Sequence, residues 1–284
     1  MVVFPNIKIN IGLFIAGKRP DGFHNIESVF YPVDWKESLE ITDRNPHLNL
    51  EGVAHHMTEV GKVRFISYGD AIPGEPSDNL CIQVFQLLEE WFNLPSIDMH
   101  LLKQVPTGAG LGGGSADAAF MLRALKEYFE LRISDVEAME LLAKVGSDCP
   151  FFWKNRPAFV YGRGEKMHPI ELDLKGWKIL LLNPGIHVST KEAYSGVKPN
   201  DPPIDLQLLP SIDVEEWEQV VRNDFEESIF PGHPSIEELK KWMYSEGAAY
   251  ASMTGSGSTV YGIFDTLPEL PLVYQNLSGW SGDL

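Results

Sequence analysis

The run "PTGAGLGGGSADAAFML", Pro106 to Leu122, constrains this chain more than any other stretch. Five of the seven positions from Gly108 to Gly114 lack a side chain, and helical spacing runs from Ser115 to about Phe129. A tight turn with positive φ needs one or two glycines. Five call for a further reason, which is close approach of another molecule to the backbone. Free amides at a helix N-terminus, aided by the helix dipole, form an anion site. "IDMHLLKQVP" ahead of the run reads as a strand, so the order is strand, glycine loop, helix.

Three readings compete for the loop. Gly108, Gly110 and Gly113 fit G-x-G-x-x-G, but the second strand and acid that a dinucleotide fold sets about 20 residues on are missing. Gly108, Gly113 and Ser115 nearly fit the Walker pattern, with Gly114 in the lysine position. The third reading keeps only a phosphate chain cradled by amides. With a net charge of −17 the chain is a poor partner for nucleic acid, so any cation serving a phosphate must be local.

Lys8 is the attractive donor. In "NIKINIGLFIA", Ile7, Ile9, Ile11, Leu13 and Ile15 alternate with Lys8, Asn10, Gly12, Phe14 and Ala16, which predicts a strand with one face on a core. Lys8 and Asn10 then share a face about 6.7 Å apart. A lone lysine there would ordinarily mark a solvent edge. Asp148 in "VGSDCPFFW" follows a helix-ending glycine and is either a helix N-cap or a positioned base.

Asp78 is expected to cap a helix through Trp91 with Cys81, Val84, Phe85, Leu88 and Trp91 on its buried stripe. Ser134 and Glu137 form a capping box for a helix that Gly146 ends. "PAFVYGRG" and "GWKILLLNPG" read as strands, "DPPIDLQLLP" as a connection and Pro234 to Glu246 as a helix. "GAAYASMTGSGSTVYGIF" is a second glycine loop feeding a strand. A boundary near residue 168 divides the chain into 1–168 and 169–284. Cys81 and Cys149 form no disulfide framework or metal quartet, and the start has no basic n-region, so a soluble cytoplasmic protein without membrane partners is expected.

Together these pieces resemble the GHMP kinases, small-molecule kinases with three sequence motifs. "PTGAGLGGGSADAA" is similar to their second motif and "YASMTGSGSTVYGIF" to their third. "PNIKINIGLFIAGKRPDGFHNI" and "GSDCPFF" resemble the branch acting on a cytidine diphosphate substrate. The resemblance implies an α+β, two-domain fold, ribosomal-protein-S5-domain-2-like at the N-terminus and ferredoxin-like α/β at the C-terminus. It implies ATP and Mg²⁺, and phosphorylation of the 2-hydroxyl of 4-diphosphocytidyl-2-C-methyl-D-erythritol in non-mevalonate isoprenoid synthesis.

Carried over residue by residue, the resemblance makes Lys8 and Asp148 the catalytic pair, Asp148 as general base. Pro106, Thr107, Gly108, Ala109, Gly110, Leu111, Gly112, Gly113, Gly114, Ser115 and Ala116 form the ATP loop, with Asn79 and Lys103 near the adenine. Asn10 contacts the methylerythritol hydroxyls, Phe23 and Tyr194 flank the cytosine, His24 reads its edge, and Thr190 lies beside Tyr194. Ser115 is the candidate Mg²⁺ ligand. Ile7, Phe23, Ser147 and Cys149 depart from the commoner alanine, tyrosine, alanine and valine, and Phe23 removes a phenolic hydroxyl. On the residues alone, Phe23 and Tyr194 would be core or lid aromatics, His24 a turn histidine, Thr190 a helix cap and Cys149 a packing residue.

Overall fold

The computed structural model describes residues 1–48 and 56–284. The chain divides into two compact units, one of Met1–Ile7, Trp35–Thr107 and Gly112–Asn155, the other of Lys8–Asp34, Gly108–Leu111 and Arg156–Leu284.

In the first unit a sheet runs in the spatial order Val2–Val3, Ser38–Asp43, Ile97–Lys103, Val63–Gly69, His56–Val60. Val63–Gly69 and Ile97–Lys103 pair in parallel, and the other pairs are antiparallel. Helices α1 (Leu80–Phe92), α2 (Gly113–Tyr128), α3 (Asp135–Val145) and α4 (Cys149–Lys154) complete the unit. The α1 cap is Asn79, not Asp78. A short 3₁₀ turn, Pro76–Asp78, uses Asp78, and the Asn79 side chain then accepts the Cys81 N–H at 2.9 Å. Cys81, Val84, Phe85 and Leu88 are buried as expected, but Trp91, one residue before the helix end, is 48% exposed. The Ser134–Glu137 capping box opens α3 and Gly146 closes it, as the sequence predicts. In α2, Ala116, Ala118, Ala119 and Ala124 are buried among Met121, Leu122 and Leu125.

The second unit holds most of two long strands, Asn6–Lys18 and His24–Lys36, in a sheet continued by Ala158–Gly162 and Lys166–Pro169. Its other sheet runs Tyr250–Met253, Val260–Phe264, Lys178–Asn183, Ser278–Asp283. A helix, Pro234–Ser245, buries Ile236, Leu239 and Met243 in a core shared with Leu13, Ile15, Leu182 and Phe264. The first strand departs from its expected half-burial, since every residue from Asn6 to Ile15 is buried. Gly12, on the polar face, approaches Leu206 and Val221, so that face is covered as well. Leu206 lies in a 3₁₀ turn, Leu206–Ser211, inside the proline-rich connection. Ser278–Asp283, "SGWSGD", has little strand propensity. It is recruited by antiparallel pairing along Lys178–Asn183.

Candidate active site

The glycines of the loop divide by purpose. Gly108, Gly110 and Gly112 have φ of +71°, +79° and +71°, the left-handed region that favours glycine. At Gly110 contact adds a second demand, because a Cβ would lie 2.1 Å from the Thr254 carbonyl oxygen. The glycine loop behind Met253 therefore packs backbone to backbone on Gly110, and Gly255 stands against it in the same way. Ala109 and Leu111 between them are buried anchors. Gly113 and Gly114 lie within α2, so turn geometry does not explain them.

These two open the helix. Gly112, the N-cap, makes no side-chain cap bond, which leaves the first amides of α2 without that partner. A cavity of about 800 Å³ lies here, lined among others by Thr107, Gly114, Lys103, Asp117, Asn79 and Leu80. A Cβ on Gly114 would meet nothing within 4 Å. Asn79 and Lys103, expected near an adenine, both face this space, although Asn79 also caps α1. The Lys103 ammonium is committed to carboxylates, donating to Glu37 at 2.7 Å and Asp117 at 2.8 Å. Burial would lower its pKa, but Asp117 and Glu37 outweigh it and raise it instead. Burial, then the Asp117 carboxylate, pushes Glu37 up to about 8 against the pull of Lys103.

Asp148 sits at the N-cap of α4, whose Cys149, Pro150, Phe151, Phe152 and Trp153 are buried and so fix its backbone. Its carboxylate makes no capping bond to that helix; it accepts from the Ser147 hydroxyl at 3.4 Å. The capping role is thus not the one it fills. Burial pushes the Cys149 thiol up to about 12, although a hydrogen bond with Ser115 opposes the rise, so this cysteine is a packing residue. Among the described residues no group of three or more His, Cys, Asp or Glu is gathered to hold a metal ion.

In the second unit Lys8 is 3% exposed and donates to the Asn10 side-chain oxygen at 2.5 Å and to the Gly110 carbonyl at 3.0 Å. Its ammonium also lies 4.7 Å from the centre of the Phe30 ring. The solvent-edge reading of this lysine is therefore wrong, because both strand faces are covered. Asn10, 1% exposed, gives one amide hydrogen to Ser28 at 2.9 Å, and its side-chain oxygen also accepts from Thr254 at 3.3 Å. Asn10 thus holds Lys8 in place. Thr254 ties the two loops together by donating to the Gly110 carbonyl at 3.1 Å. Behind it, Asn223 donates to the Met253 and Gly255 carbonyls at 2.7 and 2.8 Å.

The aromatic residues expected around a base are engaged with different neighbours. His24 stacks on Tyr194 with centroids 4.9 Å apart, and Phe225 meets Tyr194 edge-on at 4.8 Å. Phe23, 50% exposed, lies under the Arg163 guanidinium at 3.7 Å. Thr190 is the first residue of α5 (Thr190–Ser195), and the cap is Ser189, whose hydroxyl accepts the Glu192 N–H. Sequence reasoning missed Arg163, Asn223, Thr254 and Glu37, each far in sequence from its partner. The alternating "YGRG" and the tripeptide "RND" gave no signal of them.

Comparison with known proteins decides the family. Residues 79–163 match the GHMP kinases N terminal domain and residues 205–280 the GHMP kinases C terminal. The chain belongs to the GHMP kinases. Its relatives within that family include a 4-diphosphocytidyl-2-C-methyl-D-erythritol kinase of Bacteroides fragilis, 47% identical over 93% of this chain and 92% of that protein. The protein of that name from Bacteroides thetaiotaomicron is 46% identical over 95% of both. A crystal structure of 4-(cytidine 5'-diphospho)-2C-methyl-D-erythritol kinase superposes on this GHMP kinase with a TM-score of 0.76, at 25% identity, covering 99% of this chain and 98% of the other. The two-domain α+β fold expected from the three motifs is the fold of this family. Among the described residues no helix is long and apolar enough to cross a membrane.

Proposed function

We propose that this GHMP kinase transfers the γ-phosphoryl of ATP to the 2-hydroxyl of 4-diphosphocytidyl-2-C-methyl-D-erythritol in the non-mevalonate isoprenoid pathway, in the cytoplasm. The observation that carries this reading is 47% identity over more than nine tenths of each chain to a kinase named for that acceptor. The uncapped mouth of α2, opening on a cavity, supports the nucleotide half of the reaction.

Phosphoryl transfer depends on in-line placement and charge neutralisation more than on covalent help. In this reading the amides from Gly112 to Ala116 hold the β and γ phosphates while Thr107 and Asn79 border the nucleoside. Asp148 accepts the proton of the acceptor hydroxyl. Lys8, aimed by Asn10 and Gly110, neutralises charge that develops on the transferring group. A lone hydroxyl such as Ser115, with phosphate oxygens and water, is a donor set that suits Mg²⁺, which would supply further neutralisation of the triphosphate. Phe23, His24 and Tyr194, with Thr190 beside them, recognise the cytidine far from the reacting hydroxyl and so orient the substrate for transfer.

Two measurements check these assignments. Mg-ATP at about 100 times its Kd is expected to add about 2.7 kcal/mol of stability. It should therefore raise the melting temperature, and a rise with NADH in its place would overturn the nucleotide assignment. Tyr194→Ala removes a stacking face worth roughly 1–3 kcal/mol. Calorimetry should show weaker binding of the cytidine substrate, and an unaltered Kd would reject the aromatic site.

A further inference from the structure

Behind the nucleotide cavity stands a buried carboxylate that no step of the proposed reaction uses. Glu37 is 2% exposed and receives three donors. The Lys103 ammonium reaches one of its oxygens at 2.7 Å, and the Val105 and Gln104 backbone N–H groups reach the other at 3.0 and 3.4 Å. Lys103 and Asp117 face the cavity, and Glu37 lies behind them.

The contacts of Gly113, the first residue of α2, show what this arrangement controls. A Cβ there would meet the Lys103 ammonium at 3.4 Å and the Val105 side chain at 3.5 Å. These are two of the residues that Glu37 holds, one by its side chain and the other by its backbone. Asp117, one turn into the same helix, takes the second Lys103 bond at 2.8 Å. Glu37 therefore fixes the end of the Ile97–Lys103 strand and, through Lys103, the first turn of α2. We infer that Glu37 is a positioning residue for the nucleotide site, setting the aim of the amides at the mouth of α2 without touching the nucleotide. Burying a carboxylate is costly, and three converging donors offset that cost only while the geometry is kept. This inference rests on the reading of the cavity as the ATP site.

The test uses the full chain with Glu37→Gln and Glu37→Asp. A glutamine cannot accept from Lys103 and from Val105 on both of its ends, since one end is a donor. At pH 9, above the value of about 8 to which Glu37 is pushed, and at a temperature where the variant is fully folded, E37Q is expected to weaken Mg-ATP about tenfold, in calorimetric Kd and in KM, the worth of one charge-assisted bond. The KM for the cytidine diphosphate acceptor should stay unchanged. E37D, which restores the charge on a shorter stem, should bring the Mg-ATP loss back to about threefold. A lower melting temperature with wild-type Mg-ATP Kd and KM would show a merely structural role and overturn the inference. Should E37Q fail to fold, E37D decides, and an unchanged Kd there is equally fatal. Wild-type protein that binds Mg-ATP but phosphorylates nothing would sink the proposed reaction while the Kd series still judges Glu37. Wild-type protein that binds no Mg-ATP would overturn both.

Discussion

Asp148→Asn is expected to lower kcat at least about a hundredfold, the low end for loss of a general base, while both KM values stay near wild type. A hundredfold is about 2.7 kcal/mol of transition-state stabilisation. The substitution is nearly isosteric and leaves the helix cap untouched. Asp148 occupies the N-cap place of α4 without making the cap bond, so asparagine removes no helix cap. The Ser147 hydroxyl donates to an oxygen that the asparagine carbonyl can replace. Melting curves run beside the kinetics separate a loss of turnover from a loss of stability. Unchanged turnover would remove Asp148 from the chemistry.

Lys8→Met should cost about 10²–10³ in kcat, the usual loss when a preorganised charge-stabilising group is deleted. Here a stability cost is expected as well. The Asn10 side-chain oxygen and the Gly110 carbonyl each lose a donor in a buried setting, a penalty on the order of 1–3 kcal/mol. Melting curves must therefore accompany the kinetics. Arginine is no conservative substitute, since its planar fork is larger than the ammonium and the position is only 3% exposed. If Lys8 and Asp148 serve the same step, the double variant should be no slower than the worse single variant. Losses that multiply would mean that the two act separately, and the proposed roles would fail.

What the sequence revealed followed from local pattern. The Ser134 capping box, the strand before the glycine loop and the helix after it are governed by neighbours within four residues, and each forms as expected. The three family motifs were legible for the same reason, being short and contiguous. What escaped depends on distant partners. Alternation showed that Lys8 and Asn10 share a face but not that Gly12 would be covered by Leu206 and Val221, two hundred positions away on the order of magnitude. Gly110 looked like a ligand contact, whereas its missing Cβ makes room for Thr254. Glu37 reads as one more surface acid until the Lys103 ammonium is found against it. Asp78 and Asn79 are both good caps, and only the 3₁₀ turn at Pro76 decides between them.

The most direct test of the account is ADP release when the wild-type chain is mixed with Mg-ATP and 4-diphosphocytidyl-2-C-methyl-D-erythritol. ADP should appear in step with a singly phosphorylated acceptor, and substrate-free controls should stay silent. No release above those controls, or equal release with mevalonate or homoserine as the acceptor, would contradict it.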